Sequence, residues 1–150
     1  LLTPDERRSL LTLWTIARSP LMFGGDLPST NPDTIALLQN PALANLLTRA
    51  ERSGEIRRES GLVLWRAVGD GTTWVAAVNT TDAPLTTTLD ARDLGLGAAP
   101  GYVVDVWTGE PVEIRAGRTG SATVRGVAPD SGAIDLALAA HACAFWRYDG

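Results

Sequence analysis

Carboxylates are the residues with the clearest potential for chemistry, and one of them occupies a distinctive position. Asp26 follows the apolar tripeptide Leu21–Met22–Phe23 and the turn pair Gly24–Gly25. A short apolar run bounded by turn residues is typical of a buried parallel strand, and active-site residues of α/β barrels lie at the carboxyl ends of such strands. Asp26 is therefore a candidate substrate-binding residue at an active-site rim. The alternative, which the residue type favours, is a turn-forming Asp bonded to nearby backbone amides.

A single histidine and a single cysteine limit the other chemistry that this chain could support. One cysteine excludes an internal disulfide and a cysteine-based zinc site, and one histidine excludes a multi-histidine metal centre. His141 and Cys143 alternate along a predicted strand, where we interpret them as a satisfied interior pair. The sequence therefore predicts no metal site and no cofactor. The other acids stand mostly in predicted turns, at Asp70, Asp82, Asp90, Glu110 and Asp130.

Four tryptophans fall in predicted strands and allow two interpretations. Aromatic rings can stack on sugar rings, so the set could form a carbohydrate-binding platform: Trp65, Trp74, Trp107 and Trp146. Aromatic side chains in strands usually pack in a core, and we favour that role for the set. Asp105, just before Trp107, is expected to form local hydrogen bonds at the end of a strand.

The composition is that of a folded protein with an acidic balance. Apolar residues make up 45% and charged residues 20% of the chain, which excludes a disordered tail. The formal net charge is −4, and no basic cluster exceeds the pairs Arg7–Arg8 and Arg57–Arg58, so we predict no nucleic-acid partner. No apolar run is long enough to span a bilayer, so we predict no membrane partner. All 13 basic residues are Arg, a bias typical of high-GC bacterial genes.

The first third of the chain is predicted to be helical on both sides of the Asp26 segment. Thr3 can cap a helix whose first turn holds Pro4 and Glu6, and Pro20 ends this helix. Two further helices start at the Asn-Pro pairs 31–32 and 40–41, and the last one runs to about residue 49. Large apolar residues recur at helical spacing along the first helix, at Leu10, Leu13, Trp14 and Ala17, and Leu11 and Ile16 widen this stripe.

The remainder of the chain is predicted to be β-structure. Residues 51–61 are polar without a periodic face, so we predict a linker there between a domain of residues 1–50 and a domain of residues 62–150. Gly69–Asp70–Gly71 predicts a hairpin of strands 62–68 and 72–79. Six further strands complete a predicted antiparallel sandwich: 85–89, 102–107, 112–115, 122–125, 134–139 and 142–148.

The apolar stripe of the first helix requires a partner. Burial of each large side chain contributes about 1.5–3 kcal/mol, so the stripe represents on the order of 10 kcal/mol, comparable to the net stability of a domain. One strand cannot cover that surface, so either the β-domain covers it or a part of a barrel outside this sequence does. The chain opens at Leu1–Leu2 without an initiator Met, and we expect it to be a piece of a longer protein.

Several motifs resemble α-galactosidases of the melibiase family, in the correct order and spacing. The first group resembles the end of the catalytic barrel: Leu13–Trp14, Ser19–Pro20–Leu21–Met22, Gly25–Asp26–Leu27 and Leu37–Leu38–Gln39–Asn40. The second group resembles the C-terminal β-domain: Asp93–Leu94–Gly95–Leu96, Asp105–Val106–Trp107–Thr108–Gly109 and His141–Ala142–Cys143. One departure leaves the sugar specificity open, because Asn45–Leu46–Leu47–Thr48 stands where members commonly carry an Asn-Gln pair.

The resemblance implies an α+β fragment, in which the last helix-strand-helix of a (β/α)8 TIM barrel precedes an all-β antiparallel sandwich that braces it. It also implies a retaining glycoside hydrolase whose substrate is an α-galactoside or a related glycoside, with the upstream catalytic barrel as partner. The two catalytic aspartates of the family lie on earlier barrel strands, and neither motif is present here. Retaining chemistry requires two carboxyl groups roughly 5–5.5 Å apart, so we expect the fragment alone to be inactive.

Three other readings are compatible with the sequence. The full protein could be a sister α-glycosidase that acts on another sugar. The chain could also be a carbohydrate-binding β-sandwich module without catalysis, or a purely structural interaction domain. Sugar affinity in residues 62–150 that is lost when an exposed Trp is changed to Ala would favour the binding module.

Overall fold

Three helices precede a two-sheet β-sandwich in the computed structural model. The structure describes residues 2–96, 102–116, 123–125 and 132–150. The helices are α1 (Pro4–Ile16), α2 (Pro32–Leu38) and α3 (Pro41–Arg49), and a short 3-10 turn spans Leu27–Ser29. The strands are β1 (Arg52–Glu59), β2 (Leu62–Gly69), β3 (Thr72–Asn79), β4 (Leu85–Asp90), β5 (Tyr102–Asp105), β6 (Glu113–Ala116), β7 (Thr123–Arg125), β8 (Gly132–Leu138) and β9 (Cys143–Asp149).

Each helix starts where the sequence places a capping residue. Thr3 and Glu6 form a capping box, because the Glu6 N–H donates to Thr3 Oγ1 at 3.2 Å and the Thr3 N–H donates to Glu6 Oε2 at 2.6 Å. Hydrogen bonding to the Glu6 carboxylate from the backbone of Thr3, and next from its side chain, lowers the pKa of that carboxyl. Asn31 and Asn40 cap α2 and α3 through side-chain oxygens that accept from backbone N–H groups. The predicted starts of the three helices are therefore confirmed.

All described strand pairs are antiparallel. The first sheet has the order β1-β2-β3-β9-β5, and the second has the order β4-β8-β6-β7. The hairpin predicted at residues 69–71 is present, and Asp70 and Gly71 both have positive φ, as a tight two-residue turn requires. The prediction of a helical end followed by an antiparallel β-sandwich is confirmed.

The first sheet is covered on both faces, so the molecule has three layers. Alternate residues of β3 point to opposite sides, with Val75 in the core between the sheets and Trp74 in the core beneath the helices. Trp74 packs there with Phe145 of β9 and with Ile16 and Leu46 of the helices, all of them buried. A strand that is buried on both faces explains why β3 reads as a nearly continuous apolar run.

The strand predicted at Leu21–Phe23 does not form in the 150-residue chain. These residues have no regular secondary structure, and Met22 and Phe23 are 79% and 42% exposed. A parallel strand requires neighbours that supply hydrogen-bonding partners, and none of the strands in the described part of the chain pairs with this segment. This segment is apolar enough for a buried strand, but the described part of the chain offers it no sheet to pair with.

The linker predicted at residues 51–61 is also corrected, because Arg52–Glu59 forms β1 at the edge of the first sheet. A register shift between Glu55 and Arg57 interrupts the alternation of side chains, which removed the periodic signal from the sequence. The turn to β2 is Ser60–Gly61, both with positive φ. This turn pair was the signal that could have revealed the strand.

Among the described residues, no helix is long and apolar enough to span a bilayer.

Candidate functional site

The surface with the strongest functional potential lies on α1, whose two faces are used in opposite ways. The inner face contacts the sandwich through small polar residues. Ser9 Oγ donates to the carbonyl of His141 at 2.6 Å, and Trp107 Nε1 donates to Thr12 Oγ1 at 3.1 Å. The Thr12 hydroxyl also lies 3.4 Å from Cys143 Sγ. Ser9 and Thr12 are both buried, so these bonds replace water at the contact.

The carboxyl-terminal end of α1 is fixed to the same layer. Ile16 is fully buried in the core beneath the helices, and its carbonyl accepts a hydrogen bond from Ser53 Oγ of β1. Arg18 reaches the carbonyl of Glu51 at 2.9 Å. The residues that attach α1 to the sandwich therefore recur at positions 9, 12 and 16, a helical spacing of mostly small polar side chains.

The predicted apolar stripe of α1 is only partly buried, with Leu11 and Ile16 enclosed and the rest more open to solvent. Leu10 and Trp14 are each 39% exposed, and Trp14 also lines a second open pocket with residues of β2 and β3. Together with the segment after α1, they line an open apolar groove. We call it the α1 groove, and its apolar lining residues are Leu2, Leu10, Leu11, Trp14, Leu21, Met22, Phe23 and Leu38.

The α1 groove is unusual for a surface that faces solvent. Large apolar side chains that are grouped on a surface typically mark an interface with another protein element. Leu27, which follows the same segment, is 59% exposed and adds to the apolar character of this side. The sequence predicted that this stripe needs a cover, and the sandwich leaves Leu10 and Trp14 partly exposed.

Asp26 lies beside this surface and is exposed. It precedes the 3-10 turn, and its side chain makes no capping hydrogen bond. Its backbone carbonyl instead accepts from Thr30 Oγ1 at 2.7 Å and from Ser29 Oγ at 3.3 Å. The turn is therefore built by the backbone of Asp26 and by two hydroxyls, and the Asp26 carboxylate makes no hydrogen bond or ion pair within the described ranges.

The four tryptophans serve as packing residues, although Trp107 lies in the turn after β5 and not in the predicted strand. Trp74 and Trp146 are buried at 0% and 4% exposure, in the two separate cores. Trp65 and Trp107 are half-buried and pack against the core beneath the helices, with the Trp107 ring centroid 6.3 Å from that of Phe145. The favoured core role is therefore confirmed for Trp74 and Trp146, and Trp65 and Trp107 contribute to packing from a half-buried position.

His141 and Cys143 are not the interior pair that the sequence predicted. His141 lies in the turn before β9 with a φ of 57°, and its Nε2 is 2.8 Å from Oδ1 of the exposed Asp82. Cys143 is largely enclosed, and burial raises the pKa of its thiol against the opposing effect of the Thr12 hydrogen bond. A thiol held neutral in this way is a poor nucleophile.

The potential metal ligands of the chain were predicted to stand mostly in turns. No group of three or more His, Cys, Asp or Glu side chains within residues 2–96, 102–116, 123–125 and 132–150 is placed to hold a metal ion. Asp105 forms local bonds, as predicted, because its Oδ1 accepts from the N–H groups of Trp107 and Thr108 at 2.9 and 2.8 Å. Asp130 lies outside the described residues.

Comparisons with known proteins identify the family. Residues 60–148 match the model of the alpha galactosidase C-terminal beta sandwich domain. Alpha-galactosidase D of Emericella nidulans is 31% identical over 116 residues, and the match covers 74% of this chain and 18% of that protein. Alpha-N-acetylgalactosaminidase of Rattus norvegicus is 40% identical over 42 residues, which cover 28% of this chain and 10% of that protein.

A solved structure extends the similarity to the helices. The GH27 β-L-arabinopyranosidase of Geobacillus stearothermophilus superposes with a TM-score of 0.80 at 25% sequence identity, covering 99% of this chain and 31% of that chain. The chain thus spans less than a third of each of these relatives. The resemblance drawn from the motifs is confirmed, and this chain belongs to the family of α-galactosidase C-terminal β-sandwich domains.

Proposed function

We propose that this chain is the C-terminal part of a retaining glycoside hydrolase that acts on α-galactosides or related glycosides. In this proposal, residues 1–50 form the last helix-strand-helix of a (β/α)8 catalytic barrel, and the sandwich braces that barrel. The sandwich domain then begins with β1, so that the boundary lies near Ala50. The small share of each relative that the chain covers supports such a division.

The single observation that carries the proposal is the α1 groove. A helix at the edge of a complete protein would turn its large apolar side chains toward its own core. Here α1 uses Ser9 and Thr12 for the sandwich and leaves Leu10 and Trp14 open. In a barrel, each outer helix packs its apolar side on the strands, and the preceding strand and helix would cover this groove.

The exposed segment after α1 fits the same arrangement. Leu21–Met22–Phe23 has the apolar composition of a barrel strand, and in the full protein it would pair with the neighbouring strands of the barrel. Asp26 would then lie at the carboxyl end of that strand. We propose Asp26 as a rim residue that positions a substrate loop, since its carboxylate is exposed and is not used to cap the 3-10 turn.

The catalytic carboxylates belong upstream in this proposal. Retaining hydrolysis requires a nucleophile and an acid/base roughly 5–5.5 Å apart. The exposed Asp26 is the one acid of this chain that we place at the end of a barrel strand, and a single carboxylate cannot perform both roles. The relatives act on different sugars by their names, a galactoside, an N-acetylgalactosaminide and an arabinopyranoside. The sandwich is therefore a poor guide to which sugar is cleaved.

The proposal is tested by comparing two lengths of the same protein. We expect the 150-residue chain to show no hydrolysis of an aryl α-galactoside above the uncatalysed rate. The chain extended upstream to include the barrel should hydrolyse that substrate or another aryl α-glycoside from a small panel. Release of the aryl group, followed by absorbance, gives the rate. Activity in the 150-residue chain itself would refute the proposed division of labour.

A further inference from the structure

Arg7 is a cation with an incomplete set of partners at the edge of the α1 groove. Its Nη1 donates to Thr34 Oγ1 of α2 at 2.7 Å, which ties the two helices together. Its Nε is shielded from solvent and has no hydrogen-bond partner. Within the part of the chain that the structure describes, no carboxylate lies within ion-pair distance of Arg7.

Other arginines of the chain are paired with acids. Arg49 contacts Asp70 at 2.9 Å, and Arg58 contacts Glu55 at 2.6 Å, although both pairs are more open to water than Arg7 Nε. Exposed arginines can be satisfied by water, so such pairs add little stability. Arg7 differs because its guanidinium already has one nitrogen out of water and apolar side chains beside it, including Leu10 and Leu38.

Covering the α1 groove would remove more water from the Arg7 guanidinium, which is unfavourable unless the covering segment supplies a hydrogen-bond partner. A guanidinium remains charged at every pH that a folded protein survives, so Arg7 cannot become neutral when it is buried. Removing the remaining water from the Arg7 guanidinium without a replacement partner would cost several times the free energy of an ordinary hydrogen bond. A carboxylate matches the guanidinium in charge and can accept two parallel N–H bonds.

We propose that the upstream barrel, which covers the α1 groove, presents a carboxylate to Arg7. This inference rests on the proposed function, because it names the chemistry of the same partner at one point of the interface. Arg7 would then link three elements, namely α1, α2 through Thr34, and the covering segment. The interface would combine an apolar centre around Trp14 and Met22 with one charged contact at its edge, an arrangement common in protein interfaces.

The test compares the thermal unfolding of variants in the 150-residue chain and in the upstream-extended protein. Arg7→Met keeps the apolar stem but leaves the proposed carboxylate buried and unpaired. We expect it to lower the Tm of the extended protein by at least about 5 °C more than that of the short chain. Thr34→Val, which removes the intrachain bond only, should shift the Tm of both equally, and Arg8→Met on the exposed side of α1 should shift neither.

Two outcomes separate this inference from the proposed function. If Met22→Asp destabilises the extended protein whereas Arg7→Met has the same effect in both chains, the carboxylate contact is absent and the covered groove stands. If neither variant distinguishes the two lengths, the groove is not covered and both proposals fail. If the extended Arg7→Met protein does not fold, Arg7→Lys replaces it in the test, because lysine keeps the charge but loses the paired N–H geometry. A drop in Tm that Arg7→Lys causes only in the extended protein supports the contact, and equal drops in both lengths contradict it.

Discussion

Phe145→Ala is expected to lower the free energy of unfolding of the 150-residue chain by about 3–5 kcal/mol. Phe145 is fully buried in the core beneath the helices, where it packs with Trp74 and Ile16 and meets the ring of Trp107. Truncating an aromatic side chain at such a site removes its burial and leaves a cavity that rigid strands cannot close. Urea unfolding followed by tryptophan fluorescence measures the change.

The size of this effect depends on the three-layer arrangement. Phe145 lies on the face of β9 that meets the helices, so its loss weakens the contact between α1, α3 and the sandwich. Tyr102→Ala is a matched control, because Tyr102 stands on the edge strand β5 and is 66% exposed. The control should change stability by no more than about 0.5 kcal/mol. A Phe145→Ala loss below about 1 kcal/mol would mean that the helices do not pack on this sheet as described.

Met22→Asp is expected to leave the stability of the short chain almost unchanged and to destabilise the extended protein strongly. Met22 is 79% exposed in the 150-residue chain, so an aspartate there should change stability by no more than about 0.5 kcal/mol. We also expect the short chain to self-associate through the α1 groove, and Met22→Asp should reduce this association, which sedimentation velocity would detect as a lower average mass. In the extended protein, the same substitution places an unpaired charge in a buried strand, and we expect a loss of about 3–5 kcal/mol.

The control for Met22→Asp lies on the far side of the molecule. Thr86→Asp introduces the same charge on an exposed position of β4, in the second sheet. Its effect should be small and equal in both lengths. If Met22→Asp is equally mild in the extended protein, residue 22 is still exposed there, and the interpretation of residues 21–23 as a barrel strand is wrong.

Much of the fold could be predicted from short local sequence motifs. The caps at Thr3, Asn31 and Asn40 each join a side-chain acceptor to a Pro that needs no donor, so the helix starts follow from sequence alone. The turn at Asp70–Gly71 fixes the β2–β3 register in the same way. In each case the determining contact lies within three or four residues of the chain.

The errors arose where structure depends on distant partners. Leu21–Phe23 has a strand composition, but pairing requires neighbours that these residues lack here. The sequence left open which part of the protein covers the apolar stripe of α1, because the contacts that orient the helix, from Ser9 and Thr12, join it to residues about 90 or more positions away. The identity of Arg7 as an incompletely paired cation depends on the position of Thr34, which no pattern in the sequence specifies.

The central claim is that the α1 groove is covered by the preceding part of the same polypeptide. Amide hydrogen exchange, read by mass spectrometry on peptides from residues 10–24, tests it most directly when the short chain is kept dilute enough to be monomeric. The account predicts exchange at least about tenfold slower in the extended protein for these peptides, with β4 and β8 exchanging equally in both lengths. Equal exchange of residues 10–24 in the two proteins would contradict it.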